Sequence, residues 1–322
     1  MNRFILTLFA YLFLANTAFA QFQSWDFEWP NTDFAKKSLN FNDIMSGGPG
    51  KDGIPAVLNP RFYAVKLETG LNNKEPVMTV ELEGQTPRAY PIRYLMWHEI
   101  VNDVIGDTPI AVTFCPLCNS GITFDRRLKD GRTLTMGVTG KLRNSDMIMY
   151  DRETESWWQQ FLGEGIVGEL TGVKLKKLNS WTESWGDYKA RNPKAEVMRQ
   201  PEFPRRYGSN PYVGYDTSRP FLYNGEDPPH NIHPLARVVV IGERAWPLDR
   251  FREAAEINEA GVKITWKSGT ASALDTQNIA QGRDVGSIRV RDEKTGKDIA
   301  HDVSFAFTFH AFFPKGKWML GG

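Results

Sequence analysis

The 322-residue chain has only two cysteines, and they stand three apart as Cys115-Pro116-Leu117-Cys118. Three kinds of chemistry use such a pair. As a redox dithiol, one thiolate attacks a disulfide and the other resolves the mixed disulfide, provided backbone N–H groups or positive charge stabilise the thiolate. As half of a tetrahedral metal site, two thiolates need His or carboxylate ligands from elsewhere, and copper, zinc or iron is the ion to expect. As a structural disulfide, the pair closes a very short loop, which stabilises by only about 2 kcal/mol on chain-entropy grounds. That is modest for a chain able to bury its own core. Thiol-disulfide redox is the leading reading, metal binding or delivery the alternative, and a ligand-binding protein with a structural disulfide the third.

The neighbouring residues supply partners. Pro91 suits the first position of a helix. Met96, Ile100 and Val104 recur at four-residue spacing, which predicts about three helical turns. On that helix His98 and Asn102 share one face, as do Glu99 and Asp103. His98 is the candidate base toward a thiol, or the third metal ligand beside Cys115 and Cys118. In Lys141-Leu142-Arg143-Asn144-Ser145-Asp146, Arg143 can hold an anion, and Asp146 can orient a base or bind metal. The same segment also reads as a hydrogen-bonded turn. Glu99, Arg143, Asn144 and Asp146 form the supporting set. Trp157, Trp158, Trp181 and Trp185 are candidates for a surface that stacks against sugars or peptides, although Trp181 and Trp185 at helical spacing read more simply as core.

These residues need elements to hold them. Residues 110–114 form an apolar run entering Cys115, and Ile122 and Phe124 alternate beyond it, so the pair sits at a strand end. Val77–Glu83, Thr133–Val138 after an Asp130-Gly131 turn, and Met147–Tyr150 are further strands. Ser180 with Glu183 three residues on reads as a capping box, which predicts a second helix ended by Asn192-Pro193. Several segments recur in order. Arg88-Ala89-Tyr90-Pro91-Ile92 returns as Arg244-Ala245-Trp246-Pro247-Leu248, and residues 110–114 return as 262–266. Residues 150–154 return as 291–295, and 188–193 as 309–314. In this register His98 falls on Ala254, Glu99 on Ala255, Cys115 on Lys267, Cys118 on Thr270 and Asp146 on about Ser287. The fold class expected is a β-rich α+β protein of two related, unequal lobes from an internal duplication, the second copy degenerate. The organisation is a leader over 1–20, a Gly/Pro-rich lead-in over 21–75, a first lobe with the cysteine pair over 76–200, a connecting loop over 201–235 and the second lobe over 236–322.

Export is expected from the first residues. Arg3 precedes an apolar run, and Thr17-Ala18-Phe19-Ala20 offers a small-x-small site for cleavage after Ala20. A periplasmic or extracellular location follows, with no membrane anchor after cleavage. Removing Arg3 takes the 39 basic residues to 38, equal to the 38 acidic ones. Such a balance lacks the basic footprint of a nucleic-acid binder. The partners expected are an unknown redox partner or a small-molecule ligand, and beyond a bound metal ion no cofactor is indicated.

The chain resembles the bacterial family catalogued as domain of unknown function 3179. The matching stretches are residues 51–56 (KDGIPA), Tyr90-Pro91, residues 97–103 (WHEIVND), residues 113–121 (TFCPLCNSG), residues 140–146 (GKLRNSD), residues 150–156 (YDRETES), Arg206-Tyr207-Gly208 and Pro211-Tyr212. Asn119 departs from the glycine expected there, which bears on loop geometry. The resemblance implies no settled activity.

Overall fold

The computed structural model describes residues 25–321; the expected leader, residues 1–20, lies outside them. Short β-prone runs punctuated by Gly, Asn and Asp build five small sheets. The first joins Ile44–Ser46, Met136–Arg143, Asp146–Asp151, Trp157–Gln159 and Glu164–Val167. The second runs Lys176–Leu178, Ser120–Asp125, Thr108–Cys115, Ile100–Ile105, every pair antiparallel. The third runs Ser180–Ser184, Pro76–Val80, Arg88–Pro91, Glu196–Met198, Phe62–Ala64, with one parallel pair between Arg88–Pro91 and Glu196–Met198. The fourth runs Asp302–Phe305, Arg237–Ile241, Arg244–Pro247, Lys317–Trp318, its last pair also parallel. Glu256–Glu259, Val262–Lys267 and Ser287–Asp292 make the fifth.

The expectation of a two-lobed α+β protein is corrected. The five sheets take the arrangement of a five-bladed β-propeller, with only 15% helix. One apolar core runs through both halves, from Ala56 through Val112 and Met149 to Val238 and Phe309. Strand Arg237–Ile241 shows why the halves cannot part. Its alternate residues face opposite ways. Val238 and Val240 join the main core, while Val239 and Ile241 pack with Trp246, Phe251 and Ile264 in a second cluster.

Two local expectations also change. The helix opened after Pro91 covers only Ile92–His98. Glu99 takes a left-handed conformation, φ 58°, and Ile100–Ile105 is a strand. A spacing of four fits one face of a helix and one face of a strand alike, and β-branched Ile100, Val101, Val104 and Ile105 favour the pleat. Asn102 and Asp103 are therefore strand residues. The capping serine is Ser184, whose hydroxyl accepts from the Asp187 N–H at 3.1 Å; Ser180–Ser184 is a strand and the helix is Trp185–Arg191. Among the described residues, no helix is long and apolar enough to cross a membrane.

Candidate functional site

Strand Thr108–Cys115 delivers the first cysteine, and Pro116 opens a single 3₁₀ turn, Pro116–Cys118, that folds the second back toward it. Asn119 ends the turn at φ 49°, ψ 34°. Left-handed backbone suits Gly, and Asn more readily than most residues, so the departure at this position keeps the turn. Its side chain donates to the Val303 carbonyl at 2.8 Å, and Ser120 Oγ donates to Asp302 at 2.8 Å.

The third component comes from a hairpin. Strands Met136–Arg143 and Asp146–Asp151 are joined by Asn144 and Ser145, both at positive φ (49° and 64°), as a two-residue primed turn requires. The hairpin is anchored at its far end by Asn102, whose side-chain amide exchanges two 2.8 Å hydrogen bonds with the Met136 backbone. Near the turn it bulges at Gly140, where a Cβ would lie 1.9 Å from the Pro49 carbonyl oxygen, so only glycine fits. The turn sets the Ser145 carbonyl 3.8 Å from Cys115 Sγ. It also brings a carboxylate oxygen of Asp146 and the two sulfurs within 4.8 Å of one another.

This cluster is buried and unevenly satisfied. Cys115 is 1% exposed, and Cys118 and Asp146 are 0% exposed. The thiols are not joined as a disulfide. Asp146 Oδ2 accepts from Gln159 Nε2 at 2.6 Å and from the Phe161 N–H at 2.9 Å. Among the described residues, its Oδ1 meets only the two weakly donating thiols, and neither Ser145 Oγ nor Thr308 Oγ1 has a partner in good hydrogen-bond geometry. Thr308, on helix Ala306–Phe312, borders Cys118. Burial pushes the Asp146 carboxyl up to about 6. Burial raises both thiols as well, Cys118 well above the ordinary range, and the nearby acidic groups push the same way. Glu99, buried and then pressed by the charge of Asp146, is pushed up to about 8.

His98 serves elsewhere. Its Nδ1 is 2.7 Å from the Pro55 carbonyl oxygen, and its Nε2 is 2.6 Å from the Tyr207 hydroxyl. Both ring nitrogens are thus engaged, and the ring tilts against Phe203 and Tyr207. Burial lowers its pKa, keeping it neutral. It ties the lead-in and the connecting loop to the helix end. Arg143 reaches Gln159 Oε1 at 3.4 Å, and its guanidinium lies 5.4 Å from the Phe312 ring. Asn144 shapes the turn. Trp157, Trp158, Trp181 and Trp185 are all buried, at most 5% exposed, which removes the basis for a stacking surface. Residues that the sequence did not single out complete the site: Gln159, which orients Asp146, and Thr308, 190 positions after Cys118. No sequence signal marks Thr308, because the contact exists only through the fold.

A cleft of about 590 Å³ lies beside the cluster, walled mainly by apolar side chains and by Tyr212 and Tyr215. Tyr215 donates to the Leu117 carbonyl, between the two cysteines, at 3.0 Å, and accepts from the Phe221 N–H at 3.1 Å.

The fold and site together define a β-rich protein with a buried two-cysteine, one-aspartate cluster under a cleft. The family model described as protein of unknown function (DUF3179) matches residues 51–316, most of the chain, and the protein belongs to that family. No curated protein and no solved structure matches it.

Proposed function

We propose that this is an exported metal-binding protein that holds a zinc-class ion with Cys115 Sγ, Cys118 Sγ and a carboxylate oxygen of Asp146. The observation that carries the reading is the state of Asp146. One oxygen is fixed by two donors, which orients the carboxyl as the outer partners of metal ligands do. The other is buried with only the two weakly donating thiols beside it, in a cluster that spans only 4.8 Å. A buried acceptor so poorly satisfied costs up to about 1–3 kcal/mol, and a cation between the carboxylate and the thiols removes that cost. It also reverses the electrostatics, since a metal favours the thiolate that burial disfavours. Two thiolates and a carboxylate suit zinc, with copper(I) and iron as competitors for the thiolates. The dithiol reading uses the same pair, but a nucleophilic thiol needs a lowered pKa and access, and both cysteines are buried among acidic groups.

The test is elemental analysis of untagged full-length protein purified under reducing conditions, with zinc titration of metal-free protein. One ion per chain is expected, lost in Cys115→Ser, Cys118→Ser and Asp146→Asn. A chain that takes up no zinc, copper or iron, and whose cysteines instead cycle readily with a dithiol reductant, would return the redox reading to first place.

A further inference from the structure

The three donors are sealed from solvent, so an ion bound to them has to travel through the protein. The 590 Å³ cleft reaches a neighbour of each: Leu117 between the cysteines, and Met147 beside Asp146. Among the described residues lining it, Glu99 is the only carboxylate. Glu99 is 7% exposed and makes no side-chain hydrogen bond or ion pair with another described residue. It lies near enough to Asp146 and Cys115 to interact with both electrostatically. The two cations of the cleft do not neutralise it. Lys141 gives its ammonium to Glu28 at 2.8 Å, and Arg219 lies on the exposed connecting loop.

We propose that the cleft is the entry port for the metal ion, and that Glu99 is a relay ligand which takes the ion from water and passes it to Asp146 and the two cysteines. This rests on the metal reading of the cluster. The exchange involves no oxidation. The hydrated divalent ion trades water for the Glu99 carboxylate, and any proton on that carboxyl leaves to water in the cleft. It then trades that carboxylate for two thiolates and Asp146, and the two thiol protons leave to water in the cleft. Glu99 stands on the path, and the bound ion finishes on the other three residues.

Cobalt(II) added to reduced, metal-free, full-length protein is the probe, because thiolate-to-cobalt absorption reports both the rate and the extent of loading. Measured at pH 8.5, where the Glu99 carboxyl is ionised, removing the charge with Glu99→Gln should slow uptake about tenfold or more, the scale on which a charged cleft raises an on-rate, while the equilibrium affinity stays nearly unchanged. Glu99→Asp should recover most of the rate. Leu222→Trp, which fills the cleft, should also slow loading. Ile232→Trp, in a separate cleft lined by Asp216, His233 and Arg252, should not. Uptake at the wild-type rate in both Glu99→Gln and Leu222→Trp would overturn the port. An affinity loss as large as the rate loss would make Glu99 a resident ligand and overturn the relay. A wild-type chain that shows no thiolate–cobalt band overturns the metal reading and the port with it. A normal band with unslowed variants overturns the port alone.

Discussion

Two regions of the molecule share a backbone frame and differ in chemistry. In residues 76–198, a strand pair leads into helix Ile92–His98, which ends on left-handed Glu99; in residues 237–318, a strand pair leads into helix Asp249–Ala254, which ends on left-handed Ala255 at φ 55°. The Glu99 carbonyl accepts from Phe114 N at 2.8 Å, and the Ala255 carbonyl from Trp266 N at 2.7 Å. Four strands of each sheet containing these strand pairs use the same sequence of antiparallel, antiparallel and parallel pairings, and the third sheet adds one more antiparallel strand. Cys115 faces Ser120 across its ladder as Lys267 faces Ser287. Yet Lys267 is exposed and paired with Asp187, and Thr270 Oγ1 bonds Ser287 Oγ. The larger difference lies further along. After Ser120–Asp125 the first region inserts the Met136–Asp151 hairpin, which supplies Asp146. After Ser287–Asp292 the second reaches Asp302–Phe305 through residues 293–301, with no strand between. The frame places a strand end in both regions, and only the added hairpin makes one of them a site.

The largest effect should come from trying to move the site. With Cys115 and Cys118 changed to Ser, installing Lys267→Cys and Thr270→Cys should leave zinc binding absent, because nothing in the second region replaces Asp146. Stoichiometric zinc in that variant would break the comparison. Next come two buried aspartates. Asp216 is compensated by Arg237 and Arg283 and by the Ser272 hydroxyl at 2.6 Å. Asp216→Asn leaves Arg237 buried without its charge partner and should cost about 3–5 kcal/mol in denaturant unfolding. Asp146 makes no ion pair with a described residue, Lys177 acting on it only from beyond ion-pair distance, and the amide oxygen of an asparagine in its place can still accept from Gln159 and Phe161. Asp146→Asn should therefore cost the metal-free protein less than about 1 kcal/mol while removing metal binding. Equal losses at both sites would show that Asp146 is structural.

Smaller is the effect of pH on the metal-free protein. Glu99, pushed up to about 8, keeps its proton in the fold, whereas an unfolded carboxyl ionises near 4. Its contribution is fully present below pH 4 and is lost as pH rises to 8. The loss is at most about 1.4 kcal/mol per pH unit. His98, whose folded pKa is lowered, acts in the opposite sense but only below its unfolded value near 6.5. Between pH 6.5 and 8.5 the melting temperature should fall by a few degrees, and Glu99→Gln should flatten the curve; parallel curves would reject the assignment. The smallest effect is at the matched helix ends. Ala255→Gly relieves a left-handed non-glycine residue and should stabilise by about 1 kcal/mol. Glu99→Gly should gain a similar amount while slowing metal uptake.

The cysteine pair at a strand end was legible because residue type, spacing and the apolar run entering Cys115 are all local. The turn at Asn144-Ser145 was legible for the same reason, and Asp146 came with it. His98 misled because a histidine beside a Cys-x-x-Cys pair in sequence need not face it. The helix stops at that residue, and the ring finds its partners in Pro55 and Tyr207 instead. The matches at 150–154 and 291–295 misled in another way. Asp151 accepts from Thr154 N at 2.7 Å, and Asp292 accepts from Thr295 N at 2.7 Å. They share a local Asx turn at positions that are not equivalent in the sheets, so Ser287 stands where Ser120 does and has no relation to Asp146.

Local chemistry, then, was settled by the sequence alone: where the thiols lie, which turns bend, and which runs become strands where the hydrophobic period is unambiguous. Only the tertiary structure decided what those thiols meet. Their partner Asp146 stands on a hairpin from another sheet, Thr308 is 190 residues from Cys118, and Glu99 gained its place when a helix ended one turn sooner than its pattern allowed. These are matters of sheet packing and burial, in which residues far apart in the chain determine one another's solvation and charge.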